Sequence, residues 1–300
     1  MNKAEDPSRA AHTGITADIH SRAAHPGRAG VLFDNPVLKR ELRGRLRLRK
    51  LSGNAWRVVA AVVCLVVARY YYILLRSVVR GRADDALSLW VDVSYLALGL
   101  IVILAPALSA TAISQEQEQQ TWELLKMTRL SGWQVILGKW LARQSIPMLV
   151  LVIGLPLILV CGFRGNVATL SMIADYGYII LNSAFFSAMG LWCSSVIRRT
   201  PAATAVSLLL VGVLSLGTLL VDSLISMLSR TDSFDYYTMW INPFYGMYVI
   251  DDLLTGRPPV TPYELRHFAT EMHTVDVSVG VELGLTIFFL TFLIRRYSRP

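Results

Sequence analysis

The sequence predicts an all-α, polytopic membrane protein: six transmembrane helices preceded by an amphipathic helix lying at the membrane interface. Hydrophobic residues make up 54% of the 300 residues and charged residues only 17%, whereas a soluble globular chain is typically about a quarter charged. Six stretches are long and apolar enough to cross a hydrocarbon core, which takes about 20 helical residues. The Lys and Arg residues fall between those stretches, so the net charge of +8 reflects membrane topology rather than a nucleic-acid surface. Cys64, Cys161 and Cys193 all lie inside apolar runs, an odd number with neither a disulfide pattern nor zinc-site spacing.

In chain order, residues 1–33 are polar and broken by Pro7 and Pro26, and read as a disordered cytoplasmic tail. His12, His20 and His25 within it are too loosely spaced for a metal tract. Residues 34–54 hold the interfacial helix. Asn35 is a good N-cap and Pro36 suits the first helical position. Lys39, Arg43, Arg47 and Lys50 then form a cationic stripe suited to anionic headgroups. The six-helix domain occupies 55–300, with spans at about 55–75, 90–113, 144–163, 172–197, 202–221 and 275–294. Each must be helical, since only a helix satisfies its own backbone in lipid. Pro106, Pro147 and Pro156 fall inside the second and third spans, where membrane helices accommodate kinks. The first span begins too far into the chain, and is too long, for a signal peptide. Lys and Arg number 17 in segments 34–57, 115–143, 196–200 and 295–300, against 7 on the opposite side. That imbalance places both termini in the cytoplasm.

Two connections carry information beyond topology. The cytoplasmic loop 114–143 opens with good helix formers. On a helix there, Glu118, Trp122 and Leu125 share one face, and Glu116, Gln120 and Glu123 another. An acidic, glutamine-rich helix beneath a membrane has no use for headgroups and suits docking on a protein. The outer loop 222–276 is crowded with aromatic residues. Within it Asn242 and Pro243 start a helix that Gly256 ends, too short to span and therefore interfacial or re-entrant. Thr261 to Glu264 form a capping-box start for a second short helix. Glu264, His267 and Glu271 share a face of that helix, better read as solvated than as a metal site.

Among ionisable residues in the spans, Asp92, Asp175 and Asp222 sit near outer ends where solvation is cheap. Glu282 differs. It lies 13 residues before Arg295, about 20 Å at helical rise, hence about 10 Å below the outer surface of a core about 30 Å thick. An intramembrane acid there is either a pathway or gate residue or half of a buried pair, and both alternatives stay open.

The loop resembles the signature segment of the ATP-binding-cassette (ABC) type-2 permeases, the six-span membrane subunits of type V ABC exporters. In that family a run E-x-E-x-G-T-x-E-x-L-L, then T-x-x-S, then L-G-K, follows the second span. Here Glu116, Glu118, Thr121, Glu123, Leu125, Thr128, Ser131, Leu137, Gly138 and Lys139 fill those places, with Leu124 one place before the L-L pair. Gln120 and Arg129 stand where the family usually has Gly and Pro. The NPVLKREL run from Asn35 and the NPFY run from Asn242 are also similar to family segments, so the resemblance covers roughly 34–300.

The resemblance implies a permease subunit of an ABC exporter in the plasma (inner) membrane. It also implies that Glu116, Glu118, Thr121, Trp122, Glu123, Leu124 and Leu125 couple it to a separate nucleotide-binding ATPase subunit. ATP would then sit on that partner, and a second copy or a homologue would complete the dimer, amid membrane lipid. The chain itself has no G-x-x-x-x-G-K-[ST] phosphate loop and no Ser/His/Asp or Cys/His arrangement at a span end. No catalytic residue, bound cofactor or metal is expected, and the chain is not read as an enzyme. Two other classes remain. An ion-gradient-driven secondary transporter should show internal repeats and charged, broken helices at mid-membrane, and no repeat is seen. A non-transporting scaffold for an ATPase would share every feature above.

Overall fold

The computed structural model describes residues 68–69, 71–72, 76, 81, 83–121, 131–229, 241–255 and 262–297. Its helices are α1 (Ala83–Ser109), α2 (Ser114–Glu118), α3 (Gly132–Arg164), α4 (Thr169–Val196), α5 (Thr200–Gly212), α6 (Thr218–Ser229), α7 (Pro243–Thr255) and α8 (Pro262–Tyr297). A π-helical turn, Val213–Gly217, joins α5 to α6, and no strand occurs among the described residues. The tail 1–33, the interfacial helix with Lys39, Arg43, Arg47 and Lys50, and nearly all of the first span lie outside the described residues. So do Trp122, Glu123, Leu124 and Leu125, and the outer-loop aromatics from Phe234 to Trp240.

Five helical segments are long and apolar enough to cross a membrane: Asp85–Glu118, Gly132–Arg164, Thr169–Val196, Thr200–Ile225 and Val275–Tyr297. They correspond in order to the second through sixth predicted spans, and Pro106, Pro147 and Pro156 all lie inside helices. Two helices outrun the apolar stretches that predicted them. α3 has 33 residues and begins at Ser131, whose amide donates to Gln134 Oε1 at 3.2 Å, as at a capping-box start. α8 has 36 residues, where a short helix and a separate span were expected. No Gly or Pro lies between Tyr263 and Val279, so nothing stops the helix begun at Pro262 before it reaches the membrane. At about 54 Å it exceeds a hydrocarbon core of about 30 Å.

α4 is the core helix. The span window on it is 72% buried, against 22% for those on α5–α6 and on α8. It packs against α1, α3, α5, α7 and α8. Leu98, Ile101, Leu151, Ile179, Phe185, Phe186 and Met247 fill the interior around it. α1 approaches closely where α4 offers small residues, the usual device where helices pack without a hydrophobic drive. A Cβ on Gly190 would lie 2.5 Å from the Pro106 carbonyl oxygen and 2.8 Å from Pro106 Cα. One turn away, the Ser187 and Ser109 hydroxyls are 2.9 Å apart. By contrast, Leu209, Leu216, Leu220 and Leu224 on α5–α6 are exposed, as a lipid-facing surface would be.

The fifth span is not one regular helix. Its π turn leaves the Ser215 carbonyl available, and Asn242 Nδ2 donates to it at 2.8 Å and to Thr218 Oγ1 at 2.9 Å. The Oδ1 of the same side chain accepts from the amides of Phe244 at 2.9 Å and Tyr245 at 3.3 Å. Asn242 thus caps α7, as the sequence predicts, and also fastens it to the fifth span. α7 has 13 residues, about 20 Å, too short to cross.

Candidate coupling site

The regular α-helical pattern lapses over residues 110–113, between α1 and α2, and this joint, the elbow, is pinned by side chains from three other helices. Lys139 and Arg143, one turn apart on α3, reach it from one side. Lys139 Nζ lies 2.6 Å from Glu116 Oε1 and 3.4 Å from the Ala112 carbonyl oxygen. Arg143 Nη1 donates to the Leu108 carbonyl at 3.1 Å and to Thr111 Oγ1 at 2.8 Å. Basic side chains on the last carbonyls of α1 satisfy acceptors that the helix leaves open and oppose its negative end. From α4, Ser194 Oγ accepts from the amides of Ile113 and Ser114, both at 2.8 Å. Both cations are buried, Lys139 1% exposed and Arg143 8%, and these partners help offset the cost of enclosing their charge.

Glu118 provides the third connection. Its Oε1 accepts from the Thr200 amide at 2.8 Å, and its Oε2 accepts from the Thr200 hydroxyl at 2.7 Å. A carboxylate at the first turn of α5 meets open N–H groups and the positive end of that helix. Arg199, in the N-cap position, makes no side-chain cap bond; Glu118 supplies the cap from a distance of 82 residues in sequence.

α2 stops at Glu118 because the next residues turn. Gln120 has a left-handed backbone, φ 56°. Its amide donates to the Gln117 carbonyl at 3.2 Å, and the Thr121 amide donates to the Glu116 carbonyl at 3.0 Å. This is the Schellman ending, which places its left-handed residue at the position glycine favours. The family's usual Gly at this place therefore has a geometric ground, and Gln120 occupies it despite the strain of a Cβ there. The turn also corrects one sequence expectation. The helix that carries Glu116 and Glu118 does not continue through Gln120, whose backbone is left-handed.

The expected coupling residues thus divide. Glu116, Glu118 and Thr121 are brought together at the elbow, while Trp122, Glu123, Leu124 and Leu125 fall outside the described residues. Sequence reasoning missed Lys139 as the partner of Glu116, although both stand in the same signature and carry opposite charge. It also missed Arg143, Ser194 and Thr200, which carry no local signal.

At the other end of the bundle, Glu282 is 1% exposed. Its Oε1 accepts from the Tyr178 hydroxyl of α4 at 3.3 Å. Gly246 of α7 lies against that hydroxyl, with no room for a side chain. Asp175 and Asp222, expected to be solvated, are each 2% exposed. Asp175 lies beside Asp251 of α7, which packs against α4. Burial pushes the Asp251 carboxyl up to about 6, an effect the neighbouring Asp175 carboxyl partly offsets. Among the described residues no group of three acidic, Cys or His side chains is arranged to hold a metal ion.

An apolar bundle with five helical segments long enough to cross a membrane is the architecture of a multi-pass membrane protein. The model of the ABC-2 family transporter proteins matches residues 35–273. The chain belongs to that family and is a membrane permease component of an ABC-type transporter. No curated protein shows significant similarity to it.

Proposed function

We propose that the chain is the permease subunit of an ABC exporter, driven by a separate nucleotide-binding ATPase that docks on residues 114–143. A second copy or a homologue would face it across the path, and ATP would be held by the partner. The elbow carries this reading. A push on α2 bears at once on α1, α3, α4 and α5, through charge-assisted bonds on Glu116 and Glu118 and short bonds on Ser194. Closure of the ATPase against the segment following Thr121 would load that joint, and rigid helices would carry the displacement across the membrane. The excess of Lys and Arg supports a cytoplasmic elbow side with both termini there, and the family resemblance supports the plasma membrane. Glu282, enclosed where α4, α7 and α8 meet, is proposed as a gate. Glu282→Gln should then change transport at unchanged abundance.

Capture of the partner ATPase by the tagged full-length chain tests the central claim. Replacing Trp122 and Leu125 by Ala should weaken capture by about 2 kcal/mol, roughly thirtyfold in Kd, with membrane abundance unchanged. Undiminished capture would refute the coupling assignment. Transport without any ATPase would favour an ion-gradient-driven carrier instead.

A further inference from the structure

A cavity of about 710 Å³ opens beside the elbow, where the turn after α1, the start of α3 and the ends of α4 and α8 meet. Its size falls within the range of small-molecule sites, about 300–1,000 Å³. Its apolar walls are Ile113, Ile136, Val196 and Leu293. Val196 and Leu293 lie within about a turn of where two of the candidate spans end, so the cavity opens at the depth of a bilayer's headgroups. Arg198 and Arg296 stand at it, both exposed. No acidic side chain lines it among the described residues. Gln117 lines it as well, with a buried Oε1 that has no hydrogen-bond partner. Gln120 lines it from the strained left-handed backbone described above.

We propose that this cavity binds the headgroup of an anionic glycerophospholipid. Arg198 and Arg296 would hold the phosphate, since the planar guanidinium matches phosphate oxygens better than a point charge does. The aliphatic walls would take the first methylenes of the acyl chains. Gln117 Oε1 would accept from a headgroup hydroxyl. This order of polarity, cations outside and hydrocarbon inside, is that of a lipid. A soluble anion would gain nothing from Ile113, Ile136, Val196 and Leu293. Basic pockets between membrane helices are suited to such headgroups. A lipid seated there would bridge the end of α8 to the elbow and make the joint responsive to lipid composition. The leaflet is the cytoplasmic one under the topology proposed above; the chemistry of the cavity does not depend on it.

The test uses the full-length chain in phosphatidylcholine nanodiscs containing phosphatidylglycerol, extracted in mild detergent and read by native mass spectrometry. Phosphatidylglycerol should be retained in preference to phosphatidylcholine. Arg198→Gln with Arg296→Gln should lower that retention about tenfold or more, and Lys at both positions should restore part of it. Arg199→Gln with Arg295→Gln removes the same charge one residue away and should leave retention intact. Equal losses in the two pairs would overturn the proposal, since diffuse surface charge would then explain the binding. Displacement by excess inorganic phosphate as readily as by phosphatidylglycerol would overturn it in favour of a free-anion site. Intact retention with loss of ATPase capture in the Arg198, Arg296 pair would assign the cavity to a protein contact. The lipid measurement is made without the ATPase, so its outcome is separate from that of the coupling assignment.

Discussion

Stranding Lys139 tests the elbow most directly, and the geometry predicts an asymmetric result. The Lys139 ammonium is 1% exposed and the Glu116 carboxylate 18% exposed, 2.6 Å apart. Glu116→Leu removes the counter-charge 2.6 Å from a cation enclosed by protein, whose ammonium also lies 3.4 Å from the Ala112 carbonyl. Breaking a buried pair from one side costs about 3–5 kcal/mol. Lys139→Met leaves the charge on the more open side, where the carboxylate can turn toward water, and the cost falls to about 2 kcal/mol. Removing both charges together exchanges the pair for apolar side chains of similar size, which is often close to neutral. The double variant should therefore be more stable than Glu116→Leu alone. Thermal unfolding of the purified full-length chain in detergent would measure all three, with membrane abundance as a second readout. Simple additivity of the two losses would refute the reasoning, because residues in one ion pair must show coupling.

Four further outcomes follow from the same geometry. Gln120→Gly should stabilise the elbow by about 1 kcal/mol by relieving the left-handed strain, and Gln120→Val should destabilise it, both in the same unfolding assay. Gly190→Ala drives a Cβ into the Pro106 backbone and should cost about 1–3 kcal/mol, since neither helix can yield without moving the other. Asn242→Ala removes the α7 cap and the donor to Ser215, a loss of about 2 kcal/mol, seen as faster protease cleavage around α7. Asp251, raised from an ordinary 3.8 to about 6, contributes stability to the packing of α7 on α4 that is complete at low pH. That contribution is lost as pH rises through about 6; a pH series of unfolding temperatures should show the fall, and Asp251→Asn should flatten it.

Hydropathy made the spans legible because lipid imposes one rule on every crossing segment. It could not mark the ends of α3 and α8, whose outer turns lie beyond the lipid and need no apolar run. The α7 start was legible because a cap is local, Asn242 followed by Pro243. The elbow pins were not, because Ser194 and Thr200 are ordinary polar residues until the fold places them 80 or more positions from their partners. Gln120 shows an intermediate case. Its departure from Gly marked the place where the backbone needed checking, while only the structure shows that the turn keeps the left-handed geometry. Glu282 stood out as a charge in an apolar run. Tyr178, 104 residues earlier, could not be chosen over the other tyrosines from sequence.

The distribution of polar contacts along α4 bears on how a load at the elbow could reach the far side. At one end Ser194 holds the α1–α2 turn, and toward the other Tyr178 and Asp175 meet Glu282 and Asp251. Between them α4 is sheathed by Ile179, Phe185, Phe186 and Met189, together with the close Gly190–Pro106 contact. A core of that kind is packed too densely to deform gradually, so displacement is transmitted or the contact breaks. With 28 residues, about 42 Å, α4 is long enough to link the elbow directly to α7 and α8. Its polar contacts run along its length, from Ser194 through Ser187 on Ser109 and Ser183 on Gln144 to Tyr178 on Glu282. These bonds and the packed side chains between them tie α4 to α1, α3 and α8 along its length, which is what a strut requires.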